Sequence, residues 1–229
     1  SGDIRRPGPG LVTSNSILRR VGAGDFHEVA VMGSHWTVHF DGLTEPINPG
    51  IGAWGWVVTR DGKQVAFGAD FGSDRPYTNN EAEYQGLLAG LHAMIGWVHK
   101  ICIDDTVSVF GDSQLVIYQM SGKYSCRSDR LIPMYKEARG LEREAPCDIV
   151  WQWVPREENQ KADELSLGGL RMFGDRYPRV PEKYKNLVAT TEQRSILGKL
   201  GFECPIYLGR RAADKTIEAL RVLAEKDPA

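Results

Sequence analysis

The stretch Tyr77-Thr78-Asn79-Asn80-Glu81-Ala82-Glu83-Tyr84 opens the longest helix that the sequence predicts, from Asn80 to Val98. It places two amides and two carboxylates within five residues, directly ahead of a mostly apolar run. Apolar contacts alone suffice to pack such a helix against a core, so the polar cluster at its first turn indicates a functional role.

Three aspartates elsewhere in the chain stand in comparable places. Asp41 and Asp112 each end a strand-like run, and Asp163 falls just inside a helix-like one. In an α/β sheet, strand ends and helix starts on one side meet at a crevice. Carboxylates gathered there repel one another unless a cation lies between them, and oxygen ligands without His or Cys favour Mg²⁺ or Mn²⁺. Taken singly, each acid is an ordinary turn or helix-cap residue, and only their number and order favour a metal site.

The segments between these acids predict a mixed sheet. Alternation in His35–Phe40 indicates a half-buried strand that stops at Asp41-Gly42. Two more strands, Ala53–Thr59 and Gln64–Ala69, flank the hairpin turn Asp61-Gly62. Three antiparallel strands are therefore expected ahead of the long helix.

A fourth strand follows the long helix, which predicts a right-handed crossover and parallel pairing. Two helices, a fifth strand and a last helix come next, and Gly168-Gly169 should end the last helix. The predicted ranges are Val107–Gly111, Ser113–Met120, Asp129–Glu144, Asp148–Val154 and Asn159–Leu167. The order βββαβααβα predicts an α/β fold with a mixed five-stranded sheet flanked by helices.

Composition divides the chain into four parts. Residues 1–34 are rich in Gly, Pro and Ser and predict a flexible arm, whereas residues 35–169 hold the predicted sheet and the acids. Residues 170–189 predict an extended basic linker, and residues 190–229 a small helical hairpin that needs to dock or pair to be stable. The two helices of this module are predicted from Thr190 or Thr191 to Leu200 and from Arg211 to Ala224.

The net charge of −2 conceals two regions of opposite sign. Residues 35–170 hold 12 Lys and Arg against 19 Asp and Glu, a net charge of −7, and residues 171–229 hold 12 against 8, a net charge of +4. The split fits an acidic metal-using domain joined to a basic handle, although two ordinary solvated surfaces would also produce it.

The cysteines and the hydropathy pattern exclude several classes of protein. Four widely separated cysteines form no Cys-x-x-Cys pair, which argues against a zinc site or a disulfide framework and favours a reducing compartment such as the cytoplasm. Paired arginines near the N-terminus, at 5–6 and 19–20, leave an organelle transit segment open. No apolar run approaches the ~18–20 residues that span a bilayer, so no membrane partner is expected.

Four short motifs, in this order, resemble those of the ribonuclease H family across about residues 35–168. They are Phe40-Asp41-Gly42, Thr78-Asn79-Asn80-x-x-Glu83, Gly111-Asp112-Ser113-Gln114 and Asn159-Gln160-Lys161-Ala162-Asp163-Glu164-Leu165. The resemblance implies a type 1-like endonuclease that cleaves the RNA strand of RNA–DNA hybrids with two Mg²⁺ ions, for which Mn²⁺ can substitute.

The resemblance also implies a role for each acid. Asp41 would bridge both ions, and Asp163 would complete the site of the ion that activates water. Glu83 and Asp112 would hold the second ion, and Glu83 would also lie near a 2′-hydroxyl. These four acids are therefore the expected catalytic and metal-binding residues.

Contacts to the substrate follow from the same resemblance. Asn80 and Gln114 would reach base edges in the minor groove, and Thr78 and Asn48 would seat a phosphate of the DNA strand. An A-like hybrid exposes its 2′-hydroxyls in a wide, shallow groove, which short polar side chains can read without selecting a sequence. The expected substrate-binding residues are Gly42, Asn48, Thr78, Asn79, Asn80 and Gln114.

Two features of the best-known branch of that family are absent from the sequence. The segment 154–158 has no histidine before the last aspartate, and Arg156 would replace it only in part. The segment 121–130 is too short for a basic protrusion that grips the hybrid. The basic tail is the alternative grip, with Tyr177 and Tyr184 available for stacking, and its module is expected to bind nucleic acid or a protein. A linker docked on the catalytic domain is an equal alternative.

Other functions stay open at this point. A non-catalytic hybrid- or RNA-binding protein of this fold would be expected to lack one acid, whereas a ribonuclease H domain derived from a reverse transcriptase would keep all four. A 3′–5′ exonuclease of related fold typically has a second acid two residues after the first, where this chain has Leu43.

Helical periodicity does not choose between Glu81 and Glu83. At about 100° per residue they lie roughly 200° apart, and the apolar stripe of the helix is centred between them. Only the resemblance favours Glu83 as the metal ligand.

Overall fold

A computed structural model of the chain describes residues 16–20, 26–30, 33–96 and 100–226. Seven strands and six α-helices occur in these ranges. The strands are β1 (Ser16–Arg20), β2 (Phe26–Ala30), β3 (His35–Glu45), β4 (Ile51–Arg60), β5 (Lys63–Phe71), β6 (Thr106–Gly111) and β7 (Ile149–Trp153). The helices are α1 (Asn79–Ile95), α2 (Gln114–Met120), α3 (Ile132–Glu144), α4 (Gln160–Arg176), α5 (Thr191–Lys199) and α6 (Arg210–Lys226).

The central sheet has five strands in the order β5-β4-β3-β6-β7. β3 pairs antiparallel with β4 and parallel with β6, and β6 pairs parallel with β7. The predicted mixed five-stranded sheet is therefore confirmed. Alternating side chains of β3 face the core, as period-2 hydrophobicity predicts: Trp36, Val38 and Phe40 are fully buried.

β3 is longer than the sequence predicts. It passes Asp41-Gly42, where the prediction ended it, and continues to Glu45. The reason is that β4 begins at Ile51, so that Gly42 to Glu45 find backbone partners in residues 51–54. The predicted end of the long helix at Val98 lies outside the described residues.

α4 runs through Gly168-Gly169 to Arg176, so the prediction that this glycine pair ends the helix is wrong. A Cβ at Gly169 would lie 2.3 Å from the backbone oxygen of Asp70. The glycine therefore serves close packing of α4 on the sheet, and the helix continues because Leu170 and Phe173 bury their side chains beyond it.

Residues 177–189 are not the extended linker that the sequence predicts. Tyr184 is fully buried, its ring packs edge-on against Phe173 with 5.5 Å between centroids, and its hydroxyl donates to the Arg75 oxygen at 2.9 Å. Tyr184 is thus core and has no free face for stacking on a base. Its buried aromatic side chain packs this segment against the catalytic region, which agrees with the alternative of a docked linker.

The C-terminal helical hairpin docks beside this segment. Thr190 caps α5 through a capping box with Gln193, and Gly201, with a φ of 75°, follows the helix. The module has a small core of its own, and a bridge between Val188 and Gly209 joins it to the preceding segment. The buried residues of that core are Ala189, Leu197, Ala213 and Ile217.

The predicted flexible arm contains two paired strands. β1 and β2 form an antiparallel two-stranded sheet, and the rest of the arm up to residue 32 lies outside the described residues. Each strand has only five residues, too few for a clear alternating pattern in a glycine- and serine-rich sequence. Among the described residues, none of the helices is both long and apolar enough to cross a membrane.

Candidate active site

Three carboxylates converge where β3, β6 and α1 meet. Asp41 lies on β3, Asp112 directly follows β6, and Glu83 lies in the first turns of α1. One oxygen of each carboxylate lies within 4.8 Å of the others. The parallel pairing of β3 and β6 brings the two aspartates to the same edge of the sheet, as the sequence predicts.

Small residues bring Glu83 to this edge. A Cβ at Gly42 would lie 2.1 Å from the carbonyl carbon of Ala82, and a Cβ at Gly86 would lie 2.6 Å from the backbone oxygen of Asp41. The backbone of α1 therefore rests directly on β3 around Asp41. Gly42, predicted as a substrate contact, has a structural reason to be glycine.

Burial makes this cluster electrostatically unfavourable on its own. Asp41 is 4% exposed and Glu83 is 6% exposed. Burial is the main cause that raises the pKa of Asp41 to about 6; the Ser166 hydroxyl opposes the rise, and the nearby Asp112 and Asp163 add to it. Burial, followed by the charges of Asp41 and Asp112, raises the pKa of Glu83 well above its ordinary value.

The donor set fits a hard divalent cation. Within the described residues, the buried Oε2 of Glu83 has no hydrogen-bond partner, although the backbone N–H of Gly42 donates to the same carboxylate. Buried carboxylate oxygens rarely stay unpaired, so this atom points to a ligand. Carboxylates without imidazole or thiolate select Mg²⁺ or Mn²⁺.

Asp163 lies beside the cluster and not within it. It stands in the first turn of α4, its side chain is 21% exposed, and Arg156 forms an ion pair with its Oδ1. Its charge still reaches Asp41, whose pKa it raises. The structure therefore brings three of the four predicted acids together and holds the fourth at the rim.

Two buried polar residues, Ser166 and Asn159, support the acids, and the sequence did not predict this role for either. Ser166 is fully buried and donates to Oδ2 of Asp41 at 2.5 Å. Asn159 stands at the N-cap position of α4 but makes no side-chain cap bond; its amide donates to the oxygen of Phe40 at 2.8 Å and to Oδ1 of Asp112 at 3.3 Å. The one available signal was that Ser166 follows Asp163 by three residues, on the same helical face.

Glu81 occupies the opposite side of the same helix turn. It is fully buried and forms a capping box with Thr78. Its Oε1 accepts from Arg75 at 2.8 Å and from Arg130 at 3.1 Å. Burial opposes ionisation, but the bonds from Thr78 and Arg75 together lower the pKa of Glu81. The geometry therefore places Glu83, and not Glu81, with the aspartates.

Four of the predicted substrate residues, Asn48, Thr78, Asn79 and Asn80, lie at the head of α1. Asn48 accepts from the backbone N–H of Asn79 at 3.1 Å, and the Thr78 hydroxyl donates to Glu81 at 2.8 Å. Asn80 lies in the first turn of α1, and Gln114 is the exposed first residue of α2, two positions after Asp112. Their roles in substrate binding remain predictions.

Comparison of the sequence with known proteins gives a consistent assignment. The sequence model of a family described as reverse transcriptase-like matches residues 39–167, more than half of the chain. Ribonuclease HI of Halobacterium salinarum is 37% identical over 133 residues, which cover 56% of this chain and 60% of that protein. The bifunctional protein Rv2228c of Mycobacterium tuberculosis is 37% identical over 120 residues, which cover 52% of this chain but only 31% of that protein. The chain thus spans under two thirds of either relative.

Solved structures of type 1 ribonucleases H share the fold. The N-terminal RNase H domain of Rv2228c, solved as a fusion with maltose-binding protein, is 30% identical with a TM-score of 0.54, covering 62% of this chain and 97% of that one. RNase H1 of Halobacterium salinarum is 33% identical with a TM-score of 0.53 and covers 60% and 98%. LC11-RNase H1, solved in complex with an RNA/DNA hybrid, is 27% identical with a TM-score of 0.55 and also covers 60% and 98%.

Proposed function

The chain belongs to the reverse transcriptase-like family and carries a ribonuclease H-like domain, and from this we propose that it hydrolyses the RNA strand of RNA–DNA hybrids as a metal-dependent endonuclease. One observation carries the proposal: Asp41, Glu83 and Asp112 converge within 4.8 Å, and a buried oxygen of Glu83 has no partner among the described residues. The hybrid bound to the similar LC11-RNase H1 supports this class of substrate.

Divalent metal ions would supply the chemistry that side chains here lack. Two Mg²⁺ ions, or Mn²⁺ in their place, would activate a water for in-line attack on phosphorus and stabilise the leaving oxygen. Asp41, Glu83 and Asp112 would hold these ions, with Asp163 as the fourth acid. No described histidine lies among these acids, so the carboxylates are the groups available to bind metal.

The supporting residues define how the acids are presented. Ser166 and Asn159 each donate to one aspartate, which fixes the carboxylate rotamers and leaves other oxygens free toward the cluster. Asp163 is the fourth acid, and its Oδ1 is paired with Arg156 at the rim of the site.

Recognition of the hybrid would use the polar residues around α1 and α2. We propose that Asn80 and Gln114 read the minor groove and that Asn48, Thr78 and Asn79 seat a phosphate of the DNA strand. Short amide and hydroxyl side chains suit this task because the groove is shallow and its 2′-hydroxyls both donate and accept. The RNA strand is distinguished by these hydroxyls.

A cleavage assay tests the proposal. The full chain is incubated with labelled RNA–DNA hybrid, duplex DNA and duplex RNA of one sequence, with Mg²⁺, with Mn²⁺ and with EDTA. Internal cuts in the RNA strand of the hybrid, dependent on metal and absent from duplex DNA, are expected. Intact hybrid with both metals would overturn the enzyme assignment, and binding without cleavage would support the non-catalytic alternative.

A further inference from the structure

Two adjoining cavities lie where the segment 177–189 meets the C-terminal module, and one of them reaches the catalytic domain. The first, of about 580 Å³, is lined by parts of residues 178–194 together with Ile206 and Arg210. The second, of about 550 Å³, reaches Pro46 and Ile47. Asn186 and Arg210 line both cavities, so the two cavities adjoin, and together they are called the basic cleft below.

The basic cleft carries an excess of positive charge. Five cations line it, against one carboxylate, Glu182, which is already paired with Lys185. Among the described residues, no carboxylate forms an ion pair with Arg179, Arg194 or Arg210. The five cations are Arg179, Lys185, Arg194, Arg210 and Arg211.

Two of these cations are fixed by the backbone. The Arg194 guanidinium donates to the oxygens of Ala189 and Pro205, both at 3.2 Å, and of Ile206 at 2.5 Å. Arg210 donates to the oxygen of Val188 at 3.2 Å and to that of Lys185 at 3.1 Å. Carbonyl oxygens hold these guanidinium groups in place without cancelling their charge. They supply a fixed positive field, and the exposed Arg179, Lys185 and Arg211 supply donors that an anion can engage.

The basic cleft contacts the loops that lead to the candidate active site. Its wall at Pro46 and Ile47 immediately precedes Asn48, whose side chain binds the first residue of α1. The adjoining segment is tied by Lys183 to the Ser73 oxygen and by Tyr184 to the Arg75 oxygen, in the loop that runs into Thr78. The basic cleft therefore adjoins the loop that carries Asn48, a predicted phosphate contact.

We propose that the basic cleft binds phosphodiester groups of the nucleic acid on which the catalytic domain acts. The inference rests on the proposed function and adds where substrate affinity comes from. The catalytic region has a net charge of −7 and lacks a basic protrusion, so it needs cations from elsewhere to hold a polyanion. The open groove suits a backbone that passes through it, and its cations suit phosphates rather than bases.

A charge-matched pair of double variants tests the proposal. Arg179→Ala with Lys185→Ala removes two cations from the cleft, whereas Lys215→Ala with Arg221→Ala removes two exposed cations of the same tail that line neither cavity. Both pairs are made in the full chain carrying Asp41→Asn, so that hybrid stays intact during anisotropy titrations. The cleft pair should weaken hybrid binding about tenfold at low salt and reduce the slope of log Kd against log salt by about 1 to 2, while the control pair leaves the slope unchanged.

Three outcomes would overturn the proposal. They are equal weakening by the two pairs, no weakening by the cleft pair, or tight binding of adenosine monophosphate that the cleft pair abolishes while hybrid affinity stays constant. The last would assign the cleft to a free nucleotide. Cleavage at saturating hybrid by the cleft pair with Asp41 intact is the separate readout: full turnover there with unchanged Kd sinks this inference and leaves the proposed function standing.

Discussion

The two sides of the first turns of α1 bury the same type of side chain in opposite surroundings. Glu81 is capped by Thr78 and neutralised by Arg75 and Arg130, and its pKa is lowered. Glu83, two residues later, faces Asp41 and Asp112, and its pKa is raised. Burial is common to both, so burial alone does not mark a functional acid. A buried acid whose charge is paired within the protein has a structural role. A buried acid surrounded by other acids needs a cation from outside the protein.

Removing the charge of Glu83 or of Glu81 should distinguish the metal ligand from the structural acid by activity. Glu83→Gln should lower the rate of hybrid cleavage on the order of 10³-fold, since a lost metal ligand removes several kcal/mol of transition-state stabilisation. Glu81→Gln should stay within a few-fold of the wild type in protein that remains folded. Single-turnover cleavage of a labelled hybrid in Mg²⁺ measures both rates. The reverse ranking would show that Glu81 is the ligand.

The pH dependence of stability should reveal the repulsion among Asp41, Glu83 and Asp112. Asp41 has an ordinary pKa of 3.8 and a folded pKa of about 6, so between these values the folded protein holds more protons than the unfolded chain. The free energy of unfolding of the metal-free protein should therefore fall by on the order of 3 kcal/mol, owing to Asp41, as pH rises through this window. Glu83, whose pKa is also raised, should extend this fall to higher pH. Urea unfolding in EDTA from pH 4 to 8, taken as wild type minus Asp41→Asn, isolates this contribution. A difference that grows more stabilising with pH would contradict it.

Stability should also rank the two glutamates in the opposite order from activity. Glu81→Gln should cost about 1–3 kcal/mol, because two arginines lose their counter-charge and the capping box weakens. Glu83→Gln should raise the stability of metal-free protein at pH 7, since it removes repulsion from Asp41 and Asp112. Urea midpoints in EDTA measure both. Arg75→Ala combined with Glu81→Gln provides the double-mutant cycle, and strict additivity would show that the pair is not coupled.

The smallest effect is expected at Ser166, which influences the acid cluster through its hydrogen bond to Asp41. Ser166→Ala should weaken Mg²⁺ binding by about 1 kcal/mol, or about fivefold, because the donated hydrogen bond stabilises the ionised carboxylate. Its loss raises the pKa of Asp41 further, so the acid limb of Mg²⁺ binding should move to higher pH. Calorimetric titration with Mg²⁺ at several pH values measures this shift, with Ser121→Ala, at an exposed helix end, as the control. An unchanged limb would show that Ser166 only fills space.

The elements that could be predicted were those specified by neighbours in the chain. Alternation in His35–Phe40, the turn at Asp61-Gly62 and the cap at Thr190 are local signals, and each element appears where expected. The position of Asp112 at the end of β6 followed from the same patterns, whereas Asp41 lies inside β3, which continues to Glu45. Local signals failed at Gly168-Gly169. A glycine that close packing requires cannot be told apart, in the sequence, from a glycine that ends a helix.

The sequence by itself determined the order of the elements, the mixed sheet and the placement of the acids on β3, after β6 and in the first turns of α1 and α4. Only the tertiary structure decided which glutamate joins them, through the contact of α1 with β3 at Gly42. It also decided that Ser166 supports Asp41, 125 residues away, and that Tyr184 is core. The physical reason is range: propensity and periodicity act over a few residues, whereas burial, charge neutralisation and hydrogen-bond pairing depend on partners that only the folded chain brings together.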